Sequence, residues 1–165
     1  MTEDRDARLA RAVQLREQDH TEQARQILLE LSQQYSHDVE VAYQAAWAHD
    51  KLGLEAQAVP FYERALAVEG LSAADRLGAY IGLGSTYRVL GRYAHAETTL
   101  RQGLHEFPGN VTLTAFLAMV LYNLGQAREA VSSLLVTLLA ASADEQLRRY
   151  RRAIEIYAAD LDATV

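Results

Sequence analysis

The sequence predicts an all-α protein, a solenoid of four helical hairpins followed by one C-terminal helix. Two observations predict this class. The 165 residues are rich in Ala, Leu, Glu, Gln and Arg and include only two prolines, which favours helix throughout the chain. Apolar residues also recur at steps of three or four positions, which is the period of one helix face. We expect no strands of consequence.

Residues 80–108 show one hairpin most clearly. Tyr80 and Tyr87 lie on one face of a first helix, and a turn follows at Gly91. A second helix then ends before Pro108, because proline cannot continue a helix. Small and large apolar residues mark its inner face, at Ala96, Leu100, Gly103 and Leu104.

Three columns of residues repeat this hairpin along the chain. An alanine follows each turn by five positions, and successive copies are 34, 38 and 34 residues apart. The turn residues and the large residues four positions after the alanines keep the same steps. The columns are Asp19, Gly53, Gly91 and Gly125; Ala24, Ala58, Ala96 and Ala130; and Leu28, Tyr62, Leu100 and Leu134. We therefore predict repeats at about residues 5–38, 39–72, 73–110 and 111–142, with a terminal helix over residues 143–161.

This order of large, small and turn residues resembles the tetratricopeptide repeat, a helical hairpin of 34 residues. The resemblance covers about residues 5–142 and is to short stand-alone proteins of the bacterial type. It implies that the hairpins stack into a right-handed superhelix, since one hairpin cannot bury its apolar face alone. We expect a single domain over residues 1–165.

Polar residues predict where several helices begin. Residues 72–75 form a capping box with Ser72 as N-cap, which extends the first helix of the third repeat and explains the one longer interval. Asp38 and Asn110 are good N-cap residues at matching places. Residues 142–145 are a second capping box, which opens the terminal helix. An apolar stripe along that helix should cover the open end of the stack, at Leu147, Tyr150, Ile154, Tyr157 and Leu161.

Composition narrows the classes of partner. The formal net charge of −6 argues against non-specific nucleic-acid binding. The absence of cysteine excludes disulfides and thiolate metal sites. The charged start is unlike a signal peptide, and the most apolar runs are shorter than the roughly 20 residues of a membrane span. We expect a cytoplasmic protein that binds neither nucleic acid nor membrane.

The sequence predicts a protein without enzymatic activity, because no residues have the spacing of a catalytic or metal-binding motif. The five histidines form no pair at four-residue spacing and have no companion cysteine. We interpret His49 as a packed residue rather than a ligand. We therefore predict no catalytic residue, no metal ligand and no cofactor. An enzyme or a small-ligand binder is the third hypothesis, well behind the two protein-binding hypotheses given at the end of this section.

Two features leave alternatives open. Gly78 and Gly82 lie four apart inside a helix, where each glycine costs about 1 kcal/mol relative to alanine. Either a neighbouring hairpin packs unusually close to them, or the groove floor is left open for a ligand. The arginine-rich residues 148–152 are either an anion site or a solvated face, and we prefer the solvated face.

The resemblance implies a binding groove. In tetratricopeptide repeats, set positions of each first helix point into the concave face. By alignment, the partner-binding residues are Tyr43, Gln44, Trp47, Asp50, Ile81, Ser85, Arg88, Phe116, Met119 and Tyr122. Soluble monomers seldom leave a large aromatic surface bare, so either a partner covers these rings or neighbouring helices bury them as core.

The leading hypothesis is therefore a non-enzymatic scaffold that holds a peptide segment of a partner protein in its groove. Apolar rings would anchor the peptide, and Asp50 and Arg88 would set its polarity and register. The alternative is a structural homodimer in which a second copy fills the groove.

Overall fold

The computed structural model describes residues 2–163, with the backbone alone for Thr2 and Glu3. All regular structure in this range is α-helical, which confirms the predicted fold class. Met1, Thr164 and Val165, which the predicted domain includes, lie outside the described residues. Within residues 2–163, no helix combines the length and the apolar character that crossing a membrane requires.

The chain divides into two compact units, and the first ends at Gly91. Its helices are α1 (Thr2–Glu17), α2 (Thr21–Gln34), α3 (Val39–Lys51), α4 (Glu55–Leu66) and α5 (Ala73–Val89). Each helix packs against the next, and α3 also contacts α1 and α5. The first helices of successive hairpins therefore lie side by side.

Small residues let the helices of the first unit approach closely. On α3, Ala42, Ala45, Ala46 and Ala48 are all fully buried. One core cluster joins Ala45 and Ala48 to Leu15 of α1 and Leu28 of α2. Burial of this kind supplies most of the free energy that holds such helices together, at about 25 cal/mol per Å² of apolar surface.

The predicted turn column is confirmed by its backbone. Gly53, Gly91 and Gly125 have φ angles of 70°, 70° and 77°, in the left-handed region that favours glycine. Asp19 holds the same place with φ at 62°. Aspartate is one of the few other residues that visits this region routinely.

The second unit begins at Arg92. Its helices are α6 (Tyr93–Glu106), α7 (Val111–Asn123), α8 (Ala127–Ala141), α9 (Glu145–Arg149) and α10 (Arg151–Ala159). Helix α7 packs against α6 and α8, and α10 packs against α8. The fully buried residues Leu100, Leu113 and Leu121 form the centre of this unit.

Three of the four predicted N-caps are confirmed. The side chains of Asp38, Ser72 and Asn110 each accept a hydrogen bond from the backbone N–H three residues later, at 3.0, 3.1 and 3.0 Å. The fourth prediction is wrong. Ser142 ends α8, and Asp144 caps the next helix by accepting from the N–H of Leu147 at 2.7 Å.

The predicted single terminal helix is also wrong, because it is broken at Tyr150 into α9 and α10. Two of the five residues of the predicted stripe do not act as a cover, since Tyr150 is 67% exposed and Tyr157 is exposed too. The other three, Leu147, Ile154 and Leu161, are half-buried. Ala158 is buried instead, and its carbonyl accepts a hydrogen bond from the Ser132 hydroxyl of α8. Helix α10 therefore lies against α8 at this small residue.

The column of large residues is buried in three of its four copies. Leu28, Tyr62 and Leu100 are almost wholly enclosed, but Leu134 of α8 is 43% exposed. Val131 and Leu138, one turn to either side, are exposed as well. The repeat pattern predicted a buried Leu134, whereas no described residue of the second unit covers this face of α8.

Candidate functional site

A cleft in the first unit brings together half of the predicted site residues. It lies between α3 and α5, with one wall from α4, and has a volume of about 590 Å³. This is within the usual range for ligand-binding clefts. Its lining residues are Tyr43, Trp47, Asp50, Lys51, Tyr62, Gly78, Ile81, Gly82 and Ser85.

Trp47 is the most exposed aromatic residue of the cleft. Its side chain is 42% exposed, so it is not a core tryptophan. The guanidinium carbon of Arg16 lies 3.6 Å from the centroid of the indole ring, and the ring of Tyr43 lies 5.9 Å away in a tilted arrangement. Arg16 therefore fixes one face of the indole by a cation–π contact.

Arg16 is itself buried, and it reaches α3 from α1. Its Nη1 donates a hydrogen bond to the side-chain oxygen of Gln44. Gln44 thus supports Trp47 through Arg16 and does not line the cleft. Burial lowers the pKa of Arg16, although an arginine stays charged in proteins at all ordinary pH values.

The two glycines of α5 are explained by close packing, the first of the two readings that the sequence leaves open. A Cβ atom at Gly78 would collide with the hydroxyl of Tyr43. A Cβ atom at Gly82 would collide with the ring and the hydroxyl of Tyr62. Both tyrosines are buried, with Tyr43 only 6% exposed. The groove floor is therefore filled at these two points, and Tyr43 belongs to the core as much as to the cleft.

Asp50 lies at the base of the cleft and is half-buried. The hydroxyl of Thr86 lies 2.9 Å from each carboxylate oxygen and 2.7 Å from the carbonyl oxygen of Gly82. It has one proton, so it donates to one of these acceptors at a time. The Tyr62 hydroxyl also donates to the carboxylate. Burial raises the pKa of Asp50, and burial beside Asp50 raises the pKa of the Tyr62 hydroxyl.

Besides Gln44, four further predicted residues do not line this cleft. Arg88 is on α5 and is half-buried. Phe116, Met119 and Tyr122 are on α7 of the second unit, where Met119 and Tyr122 are exposed and Phe116 is half-buried. Their role in binding stays a prediction.

The sequence analysis does not identify four contributors to the cleft. Lys51 lines it, and Tyr62, which belongs to the repeated column of large residues, also bonds Asp50 through its hydroxyl. Thr86 has no special place in the repeat pattern. Arg16 lies in the first repeat, where Arg8 and Arg11 stand in place of large apolar residues, so alignment gives no reason to place it beside Trp47. Its spacing of four residues after the buried Ala12 was the one available signal.

Two simpler readings of the sequence are confirmed. His49 is buried, its Nδ1 lies 2.7 Å from the carbonyl oxygen of Ala45, and its ring stacks on Phe61 at 5.0 Å. The arginines of residues 148–152 are exposed, and Arg151 bonds Glu155 and the carbonyl oxygen of Leu139. Within the described range, no three His, Asp or Glu side chains are grouped as a metal site would require.

The repeated hairpins match a known family model. The model for the tetratrico peptide repeat matches residues 39–161, about three quarters of the chain. The chain belongs to the tetratricopeptide-repeat family. The match begins at α3, so it includes the helices that line the cleft, whereas α1 and α2 precede it. Arg16 is therefore outside the matched part of this tetratricopeptide-repeat protein.

Solved structures of proteins named MamA share the fold. A crystal structure of MamA protein has a TM-score of 0.73 and 16% identity, over 98% of this chain and 78% of that one. MamA of AMB-1 has a TM-score of 0.70 and 23% identity, over 100% and 96% of the two chains. MamA 41-end from Desulfovibrio magneticus RS-1 has a TM-score of 0.67 and 15% identity, over 96% and 97%. No curated protein matches the sequence. Identities this low indicate a common fold and nothing more.

Proposed function

We propose that this tetratricopeptide-repeat protein is a non-catalytic scaffold and that the cleft between α3 and α5 binds a peptide segment of a partner protein. Trp47, Ile81 and the rim of Tyr43 provide apolar contacts. Asp50 and Ser85 provide polar contacts at the base and the far wall. These are the residue types expected of a binding cleft, mostly apolar with a few placed polar groups.

The proposal rests on one observation, which is that the Trp47 ring is exposed and yet held in one orientation. The only tryptophan of the chain lies at the mouth of a cleft with 42% of its surface exposed, yet Arg16 and Tyr43 hold its ring in one orientation. An ordered, exposed indole loses little entropy when it is covered. Tryptophan is also among the residues that contribute most to binding energy at interfaces.

Selection of binding peptides tests this function. The native protein is presented to a displayed library of random peptides of about twelve residues, and each selected peptide is then measured against Trp47→Ala. We expect the variant to bind about 30-fold more weakly, since loss of a central aromatic anchor costs about 2 kcal/mol or more. Tyr150→Ala, which removes an exposed ring of α9–α10, is the matched control and should bind as the native protein does.

Two results would contradict this function. One is a library that yields no peptide whose binding depends on Trp47, in protein whose helix content and melting temperature are normal. The other comes from light scattering after gel filtration. A stable dimer that Trp47→Ala converts to a monomer would mean that a second copy of the chain fills the cleft.

A further inference from the structure

The cleft holds a carboxylate that is paired with no cation in the part of the chain that the structure describes. Asp50 is bonded by two neutral hydroxyls, from Thr86 and Tyr62. Among the described residues, no lysine or arginine side chain forms an ion pair with it. Glu55, at the start of α4, adds a repulsive charge, and burial together with this repulsion raises the pKa of the Asp50 carboxyl.

Two cations at the cleft, Lys51 in its lining and Arg16 on the Trp47 ring, are engaged elsewhere. Lys51 follows Asp50 in sequence, but its Nζ donates to the carbonyl oxygen of Arg16 at 3.0 Å and to the carboxylate of Asp19 at 2.6 Å. The guanidinium of Arg16 stacks on Trp47 and donates to Gln44. A partly desolvated carboxylate in this situation is stabilised by any cation that enters the cleft.

The walls above Asp50 suit the stem of a long basic side chain. Trp47 and Ile81 are both half-open to the cleft, and tryptophan is the best of the aromatic residues at attracting a cation. Lysine and arginine place their methylene stems along apolar surface while the charged head reaches a polar group. Trp47 is the most exposed of these groups and Asp50 is half-buried, so an indole at the surface and a carboxylate farther in can take the stem and the head of one such side chain.

We propose that the peptide bound in the cleft carries a lysine or arginine whose charged head pairs with Asp50 and whose stem lies against Trp47 and Ile81. The proposal rests on the proposed function, since it names the chemistry of the segment that the cleft takes. Asp50 selects for basic peptides, because a peptide without a basic residue leaves this carboxylate unpaired. Tyr62 and Thr86 are positioning residues, which hold the carboxylate toward the cleft.

The first test is the composition of the selected peptides. We expect peptides selected on the native protein to share one lysine or arginine position, and peptides selected on Asp50→Asn to lose that preference while still depending on Trp47. Glu69→Gln is the control, because it removes one negative charge from an exposed loop position of the same unit. Selection on Glu69→Gln should keep the basic position.

The second test is a double-mutant cycle with one selected peptide. Replacing its basic residue by methionine should weaken binding to the native protein and to Glu69→Gln by about tenfold or more. The same replacement should change binding to Asp50→Asn by less than about twofold, because the pair is already broken. Should Asp50→Asn melt too early to be measured, Asp50→Ser replaces it in the cycle, because it also removes the charge and keeps a polar group beside Thr86.

The results that would contradict the Asp50 pairing differ from those that would contradict the peptide-binding function. Peptides that depend on Trp47 but show no basic position, or an equal methionine effect on the native protein and Asp50→Asn, would overturn the pairing and leave the peptide-binding function intact. A library with no Trp47-dependent peptide would remove both.

Discussion

Gly82 determines the geometry of the cleft base, because its missing side chain makes room for the ring of Tyr62. With that ring in place, the Tyr62 hydroxyl reaches Asp50, and Thr86 holds the same carboxylate from α5. Gly82 lowers the intrinsic stability of its helix, but it also allows Tyr62 to orient the Asp50 carboxylate in the cleft.

The Gly82→Ala variant tests this packing, because an open position and a close contact predict opposite changes in the free energy of unfolding. Alanine is the better helix former by about 1 kcal/mol, so at an open position the variant would be more stable. Because the new Cβ meets Tyr62, we expect a loss of about 1–3 kcal/mol instead. Urea unfolding measures it, and Ser85→Ala, one turn along the same helix, is the control without a clash.

His49 makes the first unit sensitive to acid. Burial lowers its pKa below the ordinary value of 6.5, so the folded state binds its proton less readily than the unfolded state. The stability that His49 contributes is complete above pH 6.5 and declines as the pH falls from there toward the folded-state pKa. The raised pKa of Asp50 acts in the opposite direction on acidification.

The comparison between native protein and His49→Leu isolates this effect, because Asp50 is present in both. We expect the melting temperature of the native protein to fall more than that of the variant between pH 7.5 and pH 5.0, a window that spans the ordinary His pKa of about 6.5. Parallel decreases in the two proteins would show that His49 titrates freely in the folded state.

The elements of the fold were predictable where the repeat pattern and capping chemistry act together. Asp38, Ser72 and Asn110 begin their helices as expected, and the turn column has the left-handed backbone that its glycines suggest. The C-terminal part was not predictable in the same way. Both Ser142 and Asp144 can cap, and which of them does depends on how α10 seats on α8.

Two substitutions in α9–α10 test this arrangement. Ala158→Arg should destabilise the second unit by about 2 kcal/mol or more, since the alanine is buried against α8 and its carbonyl is bonded by Ser132. Tyr150→Ser should change the free energy of unfolding by less than about 0.5 kcal/mol, because that ring is exposed. A covering apolar stripe, as the periodicity predicted, would reverse the order of the two effects.

At the scale of the whole molecule, the sequence predicts the family because three columns of residues repeat with the same intervals of 34, 38 and 34 residues. The cleft was predictable only in part. Tyr43, Trp47, Asp50, Ile81 and Ser85 lie at family groove positions and meet in space. The contributions of Arg16 and Tyr62 depend on packing between hairpins, which spacing along one helix does not encode.

The central claim is that a partner peptide covers Trp47, and the emission of this only tryptophan tests it most directly. The ligand-free monomer should emit at long wavelength and be quenched by iodide, because the indole is partly exposed. Adding a selected peptide should shift emission to the blue and protect it from iodide, with a midpoint equal to the dissociation constant from calorimetry. Peptide binding without any change in emission, or emission that is already blue and shielded in the free monomer, would contradict the account.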